Sequence, residues 1–233
     1  MRPTLLLLPG LLCDAALWAP QVEALSDLAD CRVADLSRDD SVEAMAGRAI
    51  ADLPEKFAVA GLSMGGYVAL AIMAMVPQRV ERLALLDTSG RADTPEQKRR
   101  RQALIKMADI GEFKGVTPRL LPLLIHPART KDEALTSVVT GMAERVGKDA
   151  FLRQQRAIIG RPDRRPLLAR IHAPTLVVCG NEDAVTPIEL SRELAASIAT
   201  SRLVVVPECG HLSTLERPEP TIAAMRRWLG EAL

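Results

Sequence analysis

Short aliphatic runs alternate along the chain with stretches in which apolar positions recur every three or four residues. The first pattern predicts strands and the second amphipathic helices. Strands are expected over residues 4–8, 32–34, 56–60, 83–87, 175–179 and 203–206. Most show little alternation, as in parallel strands covered on both faces. Trp18, Val22, Leu25 and Ala29 share one helical face, as do Val42, Met45, Ala49 and Leu53. Near the end, Ile222, Met225 and Leu229 repeat the pattern behind Pro218, a good first-turn residue. The beat predicts an α/β fold with a doubly wound, mostly parallel sheet.

Between residues 91 and 166 the beat breaks and no strand pattern survives. Thr94-Pro95-Glu96-Gln97 and Thr130-Lys131-Asp132-Glu133 both fit a capping box, in which the threonine and the Glu or Gln satisfy exposed helix amides. Leu135, Val138, Val139, Met142 and Val146 then form an apolar face that stops at Gly147, and a further short helix is expected over 149–160. The expected organisation is an α/β core of residues 1–90 and 166–233, with an all-helical cap over 91–165 between the fourth and fifth strands.

Composition narrows the picture. At 48% hydrophobic and 25% charged, 233 residues can bury a full core without disulfide or metal staples. Thirty basic residues against 29 acidic ones give no electrostatic case for nucleic acid or an anionic membrane. Cys13, Cys31, Cys179 and Cys209 lie far apart without metal-ligand spacing, and read as thiols of a reducing compartment. The leucine run after Pro3 is broken by Pro9-Gly10, so it is read as the first strand and not as a leader, and a cytoplasmic location is expected. Lys98-Arg99-Arg100-Arg101 reads as a solvated helix face, with a steering patch for an anionic substrate as the alternative.

One constellation carries chemistry. Gly61-Leu62-Ser63-Met64-Gly65-Gly66 follows an apolar strand and precedes a small-residue helix. A bare G-x-S-x-G arises by chance roughly once in twelve chains of this length at background frequencies. The strand–turn–helix context gives it meaning, because a nucleophilic serine needs a sharp turn and glycines allow close backbone approach. A serine hydroxyl needs a base, and the base an orienter. His211 follows the last strand, at the same edge of the sheet as Ser63. His172 precedes a strand and lies at the opposite edge, and His126 falls in the helical cap. Asp183, after the strand ending at Cys179, is the acid candidate. Asp87, ending the fourth strand, is its rival, and Glu182 is a close neighbour. Backbone amides of Met64 and Leu11 are the candidate oxyanion donors.

These segments resemble the α/β-hydrolase superfamily, in its small cap-bearing branch. The resemblance rests on Leu8-Pro9-Gly10-Leu11 with Trp18, the Gly61–Gly66 turn, Ala173-Pro174-Thr175 through Gly180 to Asp183 and Pro187, and Gly210-His211 with Glu216, Pro218 and Glu219. Where the family often has His-Gly, this chain has Pro9-Gly10. The resemblance implies a serine hydrolase of esterase type using Ser63, His211 and Asp183, without metal or organic cofactor. Its partner would be a small ester or lactone, with no nucleic acid and no membrane. Leu120, Leu121, Leu123, Leu124 and Ile125 suggest an apolar acyl site, while Arg119, Arg153 and Arg156 remain open as contacts for a substrate carboxylate. Enol-lactonase, carbon–carbon hydrolase and haloperoxidase-like activities stay open as alternatives, as does a hydrolase-shaped ligand receptor.

Overall fold

The computed structural model describes residues 2–111 and 113–230. Six strands form one sheet: β1 (Thr4–Leu8), β2 (Asp30–Val33), β3 (Phe57–Leu62), β4 (Val80–Leu86), β5 (Thr175–Gly180) and β6 (Ser201–Val206). Their order is β2-β1-β3-β4-β5-β6, and every pairing is parallel. The four inner strands are buried along nearly their whole length, which explains their unbroken apolar runs. Successive residues serve opposite faces. Leu6, Leu8, Val59 and Leu83 pack on one side, and Leu5, Leu7, Ala58 and Ala60 on the other. The edge strands β2 and β6 are only half covered and carry Arg32 and Arg202, charges that blunt an exposed edge.

Helices α1 (Ala19–Ala24) and α2 (Val42–Ala49) follow β1 and β2, and α3 (Met64–Met75) follows β3. From Met64 to Met73 every residue of α3 is buried, so this helix lacks a polar face and was legible only from its small residues. The element with Trp18 is shorter than its pattern predicts: Asp14 caps a single 3-10 turn, Ala15–Trp18, and α1 ends before Leu25 and Ala29, which are nonetheless buried. Strand β4 begins earlier than predicted, because charged Arg82 is buried and donates to the Trp228 carbonyl.

The insert between β4 and β5 holds α4 (Pro95–Ile110), α5 (Leu121–Leu124), α6 (Glu133–Gly160) and α7 (Arg165–Leu168). The Thr94–Gln97 capping box closes with both bonds, at 3.2 and 2.8 Å. The second box is displaced. Asp132, not Thr130, caps α6 by accepting from the Leu135 amide, while Thr130 closes a turn onto Pro127. Gly147 interrupts α6 at φ +75°, a conformation open to glycine, where the apolar face was expected to stop. The chain ends with α8 (Ile188–Ser197), α9 (Ser213–Glu216) and α10 (Pro218–Gly230). In α10 the buried face is Thr221, Met225 and Trp228; Met225 belongs to the predicted stripe, while Ile222 and Leu229 are only half-buried.

The strand order reverses between β1 and β3. The carboxyl ends of these strands therefore flank a crevice, the place where open parallel sheets bind ligands.

Candidate active site

Ser63 occupies the single residue between β3 and α3, at φ +55° and ψ −115°. A non-glycine residue held there costs on the order of 1–3 kcal/mol, and persists only if its surroundings over-determine it. They do. The Ser63 amide donates to the Leu86 carbonyl at 2.9 Å, and the Ser63 carbonyl accepts from the Gly66 amide and the Thr88 hydroxyl. The turn is tight enough that a Cβ on Gly65 would stand 2.0 Å from the Leu8 carbonyl oxygen.

Past β6 the chain returns to the same rim. The buried imidazole of His211 reaches Ser63 Oγ from Nε2 at 2.8 Å and Asp183 Oδ2 from Nδ1 at 2.8 Å. With Asp183 ionised, Nδ1 carries the proton, leaving Nε2 free to accept from the serine hydroxyl. Asp183 is held in turn. The amides of Val185 and Thr186 donate to Oδ1, and the Thr186 hydroxyl to Oδ2 at 2.6 Å. Burial opposes the charge on both partners. On Asp183 the His211 interaction and these hydrogen bonds outweigh burial and hold the carboxyl below its ordinary range. On His211 burial lowers the affinity for a proton, but Asp183, then Asp87 and Glu216, raise it further, and the net direction is up.

Asp87 makes no hydrogen bond to the imidazole. Its carboxylate accepts from the Gly180 amide at 2.8 Å and from the Ser213 hydroxyl, and burial, reinforced by the charge of Asp183, pushes its pKa up. Glu182 is exposed and takes the Cys209 amide. His172 is exposed in the turn before β5, and His126 caps a 3-10 turn with Nδ1. Neither lines the cleft at Ser63.

The amides of Leu11 and Met64 carry no hydrogen bond among the described residues. The loop of Leu11 lies against the serine, since a Cβ on Gly10 would stand 3.4 Å from Ser63 Cβ. Gln154 of the insert steadies this loop by accepting from the Leu12 amide at 3.0 Å, with Leu12 at φ +58°. Glu216 does the same for the histidine loop. Its buried carboxylate takes the amides of Gly210 and Leu212, on either side of His211, and that of His126 in the insert.

Above these groups lies a cleft whose wall is mostly aliphatic, with Leu11, Leu124, Val139, Met142 and Ile158 among its residues. Of the cap leucines only Leu124 reaches it. Leu121 and Ile125 pack into the core, and Leu120 and Leu123 are exposed. Arg119 and Arg156 are exposed and Arg153 donates to the Ser37 carbonyl, and none of the three lines the cleft. Arg101 does line it, contrary to the solvated-face reading of its basic run. The signal was present in the spacing, because Arg101, Ile105 and Ala108 form the inward stripe of α4. Cys13 also lines the cleft, its thiol pushed up to about 12, chiefly by burial. Thr186, three residues after Asp183, carries no signal in the sequence and enters the site only through its hydroxyl bond to Asp183.

Residues 5–224 match the model of the Alpha/beta hydrolase family. The chain belongs to that family. It is 28% identical to the pimeloyl-[acyl-carrier protein] methyl ester esterase of Nitrosomonas europaea, over 95% of this chain and 93% of that protein. Among solved structures, a thermophilic esterase from Thermogutta terrifontis superposes with a TM-score of 0.88 at 29% identity, covering 98% of this chain and 90% of the other. The enol-lactonase from Burkholderia xenovorans superposes at 0.86 and 25% identity, covering 99% and 92%. In this alpha/beta hydrolase, no helix of the described residues is long and apolar enough to cross a membrane.

Proposed function

We propose that the chain is a serine hydrolase that cleaves carboxylic esters through an acyl-enzyme. The observation that carries this reading is the continuous relay of 2.8 Å contacts from Ser63 Oγ through His211 to Asp183, beside an apolar cleft. Ser63 Oγ attacks the carbonyl carbon as its proton passes to His211 Nε2. The carbonyl oxygen takes up the negative charge and accepts from the Leu11 and Met64 amides, donors of a kind worth roughly 3–4 kcal/mol each. The tetrahedral centre collapses, the C–O bond breaks, and the alcohol leaves with the proton from His211. Water then repeats the sequence, giving the acid and free serine. Asp183 holds the ring and stabilises its charged form throughout.

A lactone is an internal ester and would follow the same steps, with the alcohol still tethered to the acyl group. The likeness to an enol-lactonase favours keeping this second substrate class.

The test is a panel of acyl esters, lactones and thioesters assayed with the wild type and Ser63→Ala. Multiple turnover of at least one class is expected, lost in the variant with unchanged circular dichroism. Turnover that survives in Ser63→Ala would point to another nucleophile, and no turnover of any class to a ligand receptor.

Two further outcomes follow from the electrostatics. The base must be neutral, so a raised pKa on His211 moves the acid limb of the pH profile upward. kcat/KM should rise with pH through a midpoint above the ordinary imidazole value of about 6.5. A flat profile from pH 5 to 8 would count against His211 as the base. Asp183→Asn should cost roughly a thousand- to ten-thousand-fold in kcat by favouring the wrong tautomer. Asp87→Asn can still accept from the Gly180 amide, and should cost less than about tenfold. The reverse order would make Asp87 the orienter.

A further inference from the structure

The wall of the cleft includes one arginine, Arg101, and, among the described residues, no aspartate or glutamate. Arg101 Nε donates to Asp93 at 2.7 Å and Nη1 to Gln155 at 3.0 Å, and Nη2 has no hydrogen-bond partner among the described residues. Asp93 is not Arg101's alone. Its other oxygen lies 2.8 Å from Arg161, whose guanidinium rests 4.0 Å from the centre of the Tyr67 ring, itself part of the wall. The Arg161 and Asp93 side chains are almost wholly enclosed, at 6% and 1% exposure. Two guanidiniums therefore share one carboxylate, and the trio keeps a formal charge of +1 against an apolar cavity. Arg101, the member that lines the cleft, is 21% exposed, so its charge is partly desolvated and an anion in the cleft would be drawn to it.

We infer that Arg101 is a specificity residue of this site, and that the preferred substrates are esters whose acyl group ends in a carboxylate, half-esters of dicarboxylic acids. This rests on Ser63 being the nucleophile. The aliphatic wall takes the methylene chain and Nη2 makes a charge-assisted hydrogen bond to its far end. The acyl part is the one held, for a mechanistic reason. A cation gripping the alcohol would retain it through the step in which it must depart and admit water. On the acyl part the same ion pair lasts harmlessly until the acid is released.

Six- and eight-carbon p-nitrophenyl esters, each with and without a terminal carboxylate, test the inference. They are assayed with the wild type, with Arg101→Gln and with Arg99→Gln, an exposed arginine of the same run. In Arg101→Gln, Asp93 keeps Arg161, so the fold should hold, and a melting curve checks this. The wild type should favour the carboxylate ester at least tenfold in kcat/KM at one chain length. Arg101→Gln should lower that ratio ten- to a hundredfold, mainly through KM, and Arg99→Gln should leave it within about twofold. Equal or better turnover of the neutral esters by the wild type overturns the inference and leaves the esterase reading intact. So does an equal effect of the two variants, which marks a general surface field. If no ester turns over and a fluorophosphonate leaves Ser63 unlabelled, the nucleophile assignment falls and takes this inference with it.

Discussion

Ser63→Gly should abolish turnover and yet be more stable than Ser63→Ala. Both variants lose the hydroxyl and its contact with His211, so both should lose activity by about ten-thousand- to a million-fold. They differ only in a methyl group on a backbone held at φ +55°. At an ordinary position glycine is the less stable of the two, by roughly 0.5–1 kcal/mol. Here the side chain adds strain of roughly 1–3 kcal/mol, which glycine removes. The net order inverts by about 1 kcal/mol, or roughly 2–4 °C in Tm for a chain of this size. Thermal melts of the two variants decide it. Alanine melting above glycine would mean that the turn stores no strain, and that Ser63 sits there for some reason other than nucleophile presentation.

Gly65→Ala is the second large effect, and it acts on stability first. The new methyl would stand 2.0 Å from the Leu8 carbonyl oxygen, 2.6 Å from its carbon and 2.8 Å from the Pro9 oxygen. All three are backbone atoms, so no side chain can swing aside, and either α3 or the end of β1 must move. A cost of about 3 kcal/mol or more is expected, a large part of the roughly 5–15 kcal/mol that stabilises a domain. The displaced segment leads into Gly10 and Leu11, so whatever protein folds should also lose kcat. Gly160→Ala is the control. Nothing lies within 4 Å of its added methyl, and it should be neutral or slightly stabilising. Soluble yield and Tm of the pair are the measurements, and wild-type behaviour of Gly65→Ala would mean that strand and helix are not packed as described.

The same two residues show why so much could be read in advance. A serine on a strained turn and a glycine under a carbonyl leave a local signature, Gly61 to Gly66, whose meaning does not depend on distant packing. The inner strands were legible for a similar reason, since burial on both faces demands unbroken aliphatic runs. Where a tertiary contact decides, the sequence was mute or misleading. Arg82 looks like a loop residue until the Trp228 carbonyl satisfies it inside the fold. Thr130 and Asp132 both offer a capping oxygen, and only the turn at Pro127 shows which is free to use it. Arg101 looks solvated in a run of four basic residues, because its partners Asp93 and Gln155 lie eight and 54 positions away. Asp183 and Asp87 each end or follow a strand at the same rim, and the choice between them turns on which carboxylate meets the imidazole ring.

The helical insert departs most from its sequence pattern. Its leucines were expected to line the site, yet of these only Leu124 reaches the cleft, and Arg101 enters the wall from α4. Gln154 and Glu216 add a link from the insert to the loops that carry Leu11 and His211. A shift of the insert would therefore disturb the amides flanking the base as well as the roof of the cleft.

The proposed mechanism requires covalent chemistry at residue 63, and rapid-quench mass spectrometry addresses it directly. The enzyme is mixed with an ester, stopped in acid during turnover, digested and mapped. One acyl mass should be found on the peptide containing Ser63, forming no more slowly than the steady-state rate. Turnover with that peptide unmodified, or with the acyl group on another residue, would contradict it.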